Sequence, residues 1–453
     1  MNGIRYRASE EFKDSGIEWI GEIPKEWQLK KTNLLFNIIG SGSTPNTDNT
    51  DYYNGEINWL QTGDLNDAFL YSTSKSVTIL AMKKTSALKI YPVNTLIVAM
   101  YGATICKLGI TKISTSTNQA CCCLAKPANQ YITRYVFYWI LANRPHIISL
   151  AYGGGQPNIN REIISNLKIS IPSEFEQHKT INFLDIKTTQ FDSIIAKKEQ
   201  LIAKLEEAKK ALISEVVTGK AKIVDGKLVS RQPEEMKDSG VEWLGQISNE
   251  WKSMHLKHLF RVKKKSIYSD NKVVLSVTQK GIKIKDIESN EGQLAETYSG
   301  YQEVLVNDFV MNHMDLLTGF VDCSTYVGVT SPDYRVFQLT KTYMSRRYYL
   351  YIFQMCYYCK IFYSLGQGVS NFGRWRLPID MFYDFILPMP PAAEQYIIAD
   401  FLDIKTAQFD SLIAKQQQIL ISIKSAKQSL ISEAVTGKID LRDWEIVKHG
   451  GAS

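Results

Sequence analysis

The chain has 453 residues, 44% of them hydrophobic and 22% charged, with 53 Lys and Arg against 46 Asp and Glu for a formal net charge of +7. That length exceeds what one hydrophobic core organises and fits two or three domains, and the balance of apolar and charged residues excludes a disordered chain. The mild positive charge would help a polyanion approach and serves equally as a solvated surface; no run of apolar residues predicts a membrane span or a secretory leader, and seven cysteines without a periodic framework predict a reducing, cytoplasmic setting.

In chain order, the first recognisable element is Lys13 to Trp27, KDSGIEWIGEIPKEW, which returns as Lys237 to Trp251, KDSGVEWLGQISNEW. The Trp19, Trp27, Trp243 and Trp251 side chains recur in these heads, where core packing against a helix end is the plain reading and partner binding the sharper one. Residues 28–170 follow, with short β-prone runs such as Val77 to Leu80 and Thr95 to Ala99. Polar turns separate them, among them Gly40 to Pro45 and Tyr152 to Asn158, and an aromatic helical stretch runs from Arg134 to Leu141. Cys121, Cys122 and Cys123 sit in an apolar patch and read as buried structural thiols.

Residues 171–220 carry a different signal. Leu184, Phe191, Ile195, Leu205 and Leu212 fall on a spacing of three and four, which predicts a long helix packed lengthwise on another helix. Pro172 is a plausible start and Gly219 a plausible stop. Residues 221–388 hold a linker, the second head and a second block with its own β-prone runs and an aromatic stretch, Tyr348 to Tyr363. Cys356 and Cys359 lie in that stretch as a single CxxC with packed flanks, which does not make a zinc site. Residues 389–438 then repeat 171–220 without a gap, with 27 identities, and present Leu402, Phe409, Ile413, Ile423 and Leu430 on the same seam. A short tail, 439–453, ends the chain.

The order is thus head, variable block and long helix, given twice. Each helix exposes an apolar stripe that needs a partner. The cheapest partner is the other copy, and an antiparallel pair would carry the two blocks at its two ends; separate docking of each helix on its own block is the other arrangement. The predicted class is α+β, two mixed α/β domains joined by two long antiparallel helices in an intramolecular coiled coil with pseudo-two-fold symmetry. Phosphate-loop, dinucleotide and zinc-protease motifs are missing, as is an Asn-Pro-Pro-aromatic motif, and the six histidines share no spacing with acids, so catalysis is not expected and neither is a bound metal.

The doubled order, the Asp-Ser-Gly-(Ile/Val)-Glu-Trp heads and the Phe-Leu-Asp-Ile-Lys-Thr to Val-Thr-Gly-Lys tails resemble the DNA-specificity subunit of type I restriction-modification systems. Gly42 to Pro45, Gly63 to Leu65 and Gly155 to Ile159 are similar to turns of that family; in the second block only Gly366 to Phe372 echoes the last of them. The resemblance implies a non-catalytic reader of a bipartite double-stranded DNA target. Residues 1–170 would be the first target-recognition domain and 221–388 would carry the second, while the helices set the spacer and dock two modification subunits. It further implies restriction subunits as partners. S-adenosylmethionine, ATP and Mg would sit on those partner subunits, with none in this chain. A protein scaffold or antirestriction decoy that reads no sequence is the alternative.

Base and phosphate contacts need forked or planar donors. In the first block the polar candidates are Lys75, Lys83, Lys84, Lys107, Asn118 and Gln119; in the second they are Arg335, Arg346, Arg347, Arg374 and Arg376, with Trp375 packing between the last two. An ordinary solvated charge is the competing account of each. Gln156 and Asn158 are expected to organise a turn.

Overall fold

A computed structural model describes residues 4–151, 158–263, 266–267, 273–287, 297–368 and 375–445. Two units emerge, one of Met1–Glu199 with Gln418–Ser453, the other of Gln200–Gln417. The division runs through both long segments, so each unit combines one variable block with parts of both helices rather than leaving the helices as separate domains.

The shared segments are helices of 44 residues, Glu174–Val217 and Ala392–Val435, each roughly 66 Å long at 1.5 Å per residue. Their ends are built alike. Near the start, the Gln177 and Gln395 amides turn back to donate to the Pro172 and Pro390 carbonyls, each at 2.9 Å. At the stop, Gly219 and Gly437 both adopt φ +76, the left-handed conformation that ends a helix cheaply only for glycine. A Cβ at Gly219 would strike the Trp251 ring, and one at Gly437 would strike Pro24 and Trp27.

In the first unit Ile181 and Leu184 share a core with Ile431, Ala434 and Val435. Glu199 pairs with Lys424 at 2.9 Å and Asp192 with Lys427 at 2.6 Å, so the two helices run antiparallel there. In the second unit Ile213, Val216 and Val217 share a core with Ile398, Ala399 and Leu402, and Lys209 pairs with Asp410 at 2.6 Å, again antiparallel. Between these ends, the half-buried positions of the first helix are Phe191, Ile195, Lys198, Ile202, Leu205, Lys209 and Leu212. On the second helix Phe409, Ile413, Gln416, Leu420, Ile423, Lys427 and Leu430 are shielded, with Ile419 added.

Both blocks are built on the same four strands. In the first unit Phe36–Ser41, Cys121–Pro127, Leu96–Ala99 and Leu108–Thr111 lie side by side, all antiparallel, with Ala68–Leu70 added parallel at the edge. In the second, Phe260–Val262, Arg335–Leu339, Phe309–Met311 and Val321–Cys323 repeat that order and sense. Each sheet is followed by its aromatic helix, Ile132–Ser149 or Arg346–Tyr358. The outer sheets differ: three strands, Ser116–Thr117, Tyr53–Leu60 and Lys75–Val77, in the first unit, and five strands in the second, Ser266–Ile267, Tyr301–Val304, Gly328–Thr330, Val274–Thr278 and Gly281–Ile284. Cys121 and Cys123 face one core and Cys122 the other, as strand alternation requires. Burial pushes all three thiols up, Cys123 to about 12, so they are inert hydrophobes. Among the described residues no His, Cys, Asp and Glu cluster could hold a metal, and no helix is long and apolar enough to cross a membrane.

The heads are fastened to the helix starts by a duplicated clamp. Glu176, in the first turn of its helix, accepts from Trp27 Nε1 at 2.9 Å and from the Arg7 guanidinium, which also lies over the Trp27 ring. Glu394 accepts from Trp251 Nε1 at 2.8 Å and from Arg231 at 2.5 Å, and Arg231 lies over Trp251. A carboxylate suits the positive end of a helix dipole, and the buried guanidinium needs it. In the first unit Arg5–Tyr6 then pairs with Ile439–Asp440, whereas the second closes the equivalent place with the hairpin Ala221–Val224 to Lys227–Ser230.

These packing differences separate the strong contacts from the weak ones. Glu394→Gln leaves the Arg231 guanidinium buried without its counter-charge and should cost about 3 kcal/mol or more in urea unfolding, whereas Lys209→Ala, at an exposed pair, should cost under about 1 kcal/mol. Arg442 holds the Asp440 carboxyl down at about 2, against an ordinary 3.8. A depressed carboxyl stabilises above its unfolded pKa and loses that contribution as pH falls. Acid titration of stability should therefore show a loss between pH 3.8 and about 2 that Asp440→Asn removes.

Candidate nucleic-acid interface

Three candidates of the first unit, Lys75, Asn118 and Gln119, gather at one end of the outer three-stranded sheet. Lys75 begins its strand, is exposed and pairs in register with Trp59. The backbone of Asn118 donates to Leu60 O at 3.0 Å and the Asn118 side chain accepts from Ala120 N at 3.2 Å, so this residue shapes a turn at that end of the sheet. Gln119, exposed beside it, accepts from Thr44 Oγ1 at 2.6 Å, and Ser43 O accepts from Trp59 Nε1 at 3.1 Å. The Gly42 to Pro45 turn and the Asn118–Gln119 turn thus meet, a proximity no sequence spacing announces. Asp64 adds to the same region by accepting from Ser74 N at 3.1 Å, which sets the approach to Lys75. Lys83 and Lys84 are exposed in the last turn of Ile79–Lys84, and Lys107 is half-buried in the turn before Leu108.

The second unit departs further from expectation. Arg346 is exposed at the first residue of its helix, and Arg376 is exposed with its backbone bridged to Gln367. Trp375 is half-buried, tilted against the Tyr363 ring, and donates Nε1 to Tyr363 O at 2.6 Å. Arg374 lies outside the described residues, as do Gly155 to Pro157. Two assignments need correction. Arg335 is not a surface donor; it sits inside the four-stranded sheet at 5% exposure, donates to Leu377 O at 3.0 Å and lies over Phe382, so it cannot reach a base edge. Arg347 faces the second long helix instead, held by Asp400 at 2.7 Å and by Asp403, whose hydrogen bonds keep its guanidinium firmly protonated.

Arg347 belongs to a grip that both units share and that heptad reading passed over. In the first unit Arg134 pairs with Asp185 at 2.7 Å, and Tyr138 Oη donates to Asp185 at 2.5 Å and meets Thr188 at 3.3 Å. In the second, Tyr351 Oη donates to Asp403 at 2.7 Å and meets Thr406 at 3.1 Å. Tyr135 reaches Val435 O at 3.2 Å and Tyr348 reaches Val217 O at 3.1 Å, each tying a block to the end of the other copy of the helix within its unit. The signal was present as Arg-Tyr-x-x-Tyr at Arg134 and Arg347, matched to the Asp and Thr of Phe-Leu-Asp-Ile-Lys-Thr. The head tryptophans also resolve: Trp27 and Trp251 are core, while Trp19 and Trp243 are half-covered against Trp139 and Phe385.

Residues 24–207 match the family model of the type I restriction modification DNA specificity domain. The type I restriction enzyme MjaIX specificity subunit of Methanocaldococcus jannaschii is 28% identical over 202 residues, 44% of this chain and 44% of its own length. The EcoBI specificity subunit of Escherichia coli is 42% identical over 84 residues, 18% of each chain. These alignments span less than half the length of either relative. A chain solved in work on complex assembly and conformational transition of the type I R-M system shares the fold at a TM-score of 0.64 and 10% identity, over 91% of this chain and 98% of that one.

Arg347→Ala should lower stability by under about 1 kcal/mol, because the pair is half-exposed. It should leave the salt dependence of DNA binding unchanged, whereas a slope reduced by about 0.9 would show that the side chain neutralises a phosphate after all.

Proposed function

We propose that this chain belongs to the DNA-specificity-subunit family of type I restriction-modification systems and is the sequence-reading and non-catalytic component of a multisubunit methyltransferase and endonuclease. Each unit reads one half of a bipartite double-stranded target, and the paired helices set the gap between halves and dock two modification subunits. S-adenosylmethionine bound by those subunits supplies the methyl group; ATP and Mg serve restriction subunits. This chain's own residues bind and position DNA.

The observation that carries this reading is the contrast between mount and outer layer. Four strands, an aromatic helix, the Tyr–Asp grip and the Arg–Glu–Trp clamp occur twice, while among the described residues the outer sheets have three strands in one unit and five in the other. Two readers of unlike half-sites need a common mount and unlike reading surfaces. A scaffold that holds protein partners alone leaves the unlike layers without a task.

Replacing residues 28–170 by the corresponding block of another such chain, with the modification subunits present, should change one half of the methylated sequence and leave the other half intact; unchanged methylation would refute the reading. Inserting one heptad at the matching point of both helices adds roughly 10 Å of helix and should lengthen the permitted spacer by about three base pairs at 3.4 Å each. A spacer that ignores the insertion would show that the helices do not set it.

A further inference from the structure

The second unit contains an open cavity of about 360 Å³ whose wall includes Lys263, Gln302, His313 and Arg335. Its electrostatics are unusual. Arg335 is buried, one Nη donates to Leu377 O, and the other, Nη1, has no partner. The two other buried guanidiniums of the clamps, Arg7 and Arg231, each have a glutamate; among the described residues Arg335 has no carboxylate. Desolvation pulls its pKa down to about 10, which still leaves it charged at neutral pH.

The neighbouring groups sharpen the imbalance. Lys263 is neutralised by Asp308 at 2.6 Å, with Glu303 at 3.9 Å, so the acids near the cavity are engaged with that ammonium. His313 has a buried Nδ1 without a partner, and burial followed by the charges of Arg335 and Arg376 holds its pKa at about 4, leaving it neutral. Arg376 is exposed, and the adjoining Leu377 N donates to His313 O at 2.9 Å, which fixes this arginine beside the same wall. The Gln302 amide nitrogen already donates to Ser331 O at 3.1 Å and Tyr334 O at 2.7 Å. With its neutral donor engaged and its cations in excess, the wall is poorly equipped to distinguish bases and well equipped to hold an anion.

We propose that this corner of the second unit seats one phosphate group of the DNA backbone, with Arg376 in contact with the phosphate and Arg335 supplying uncompensated positive charge from beneath. The inference rests on the DNA-reading function proposed above and adds to it a contact that fixes register without carrying sequence information. The phosphate also provides the counter-charge that the fold withholds from Arg335.

The test uses the full chain with its modification subunits and a duplex carrying the mapped methylation target, with a neutral methylphosphonate placed at one position at a time. One position in the half-site read by the second unit should cost the wild-type complex about tenfold in affinity, the worth of one charge-assisted hydrogen bond. Arg376→Ala, an exposed change that leaves folding intact, should weaken cognate and mismatched duplexes alike, lower the salt slope by about 0.9, and make that methylphosphonate cost nothing further. Arg335→Gln, provided its melting temperature shows it folded, should behave the same way. Inorganic phosphate is the second probe: if it raises the melting temperature of the wild type but not of Arg376→Ala while no duplex position couples, the seat takes free phosphate and the proposal falls. Specific binding by the wild type with no coupled position overturns this inference alone; no specific binding at all overturns the DNA-reading function together with it.

Discussion

A helix of 44 residues with an apolar stripe cannot stand by itself in water, and the covering of that stripe organises everything else in the chain. Each unit meets the demand in two ways at once. Near the helix ends the stripe enters the core of a block, where Leu184 and Leu402 are fully buried. Farther along, it meets the other copy of the helix, where the seam residues are only half-covered. The polar contacts follow from that arrangement: the Asp next to each buried leucine and the Thr one turn beyond it receive the block's tyrosine, and the glutamate in the first turn of each helix receives the head's tryptophan and a neighbouring arginine. Their free-energy contributions are unequal. The buried Arg–Glu clamps cannot lose a partner without leaving a charge in a medium that solvates it poorly, while the exposed Lys–Asp and Lys–Glu pairs along the seam mainly favour one direction of pairing.

Given a fixed mount, variation is confined to where it costs the fold least. The four core strands keep order and sense in both units, although the sequences that form them differ. The clamps and the Tyr–Asp grips are made by residues outside the outer sheets, so strands can be added or removed there without disturbing the attachment. Exposed Lys75, Lys83, Lys84 and Gln119 in the first unit lie on or beside this outer layer. In the second unit the exposed cations Arg346 and Arg376 occupy other parts of the block, consistent with two surfaces that present different chemistry.

Much of this was legible in the sequence because it is periodic or repeated. The helix spans, their stops at Gly219 and Gly437 and the seam residues from Phe191 to Leu212 need only a spacing rule and a duplicated segment. The individual charged residues were not legible, because the sequence does not say which carboxylate lies opposite a given arginine. Arg347 is a cation by type, but its partners lie in the second long helix: Asp403 within the repeated Phe-Leu-Asp-Ile-Lys-Thr motif and Asp400 just before it. Arg335 looked polar by type, but its strand is central and its side chain alternates inward. The pairing of Gln119 with the Thr44 turn joins residues far apart in the chain and depends on the strand order of the first unit.

The most direct measurement is a map of every methylated site made by this chain with its modification subunits in a defined DNA population. The account predicts a single target of two short, unlike half-sites separated by a gap of fixed length and free sequence. A continuous target, a gap of variable length, or identical half-sites from the two unlike units would contradict it.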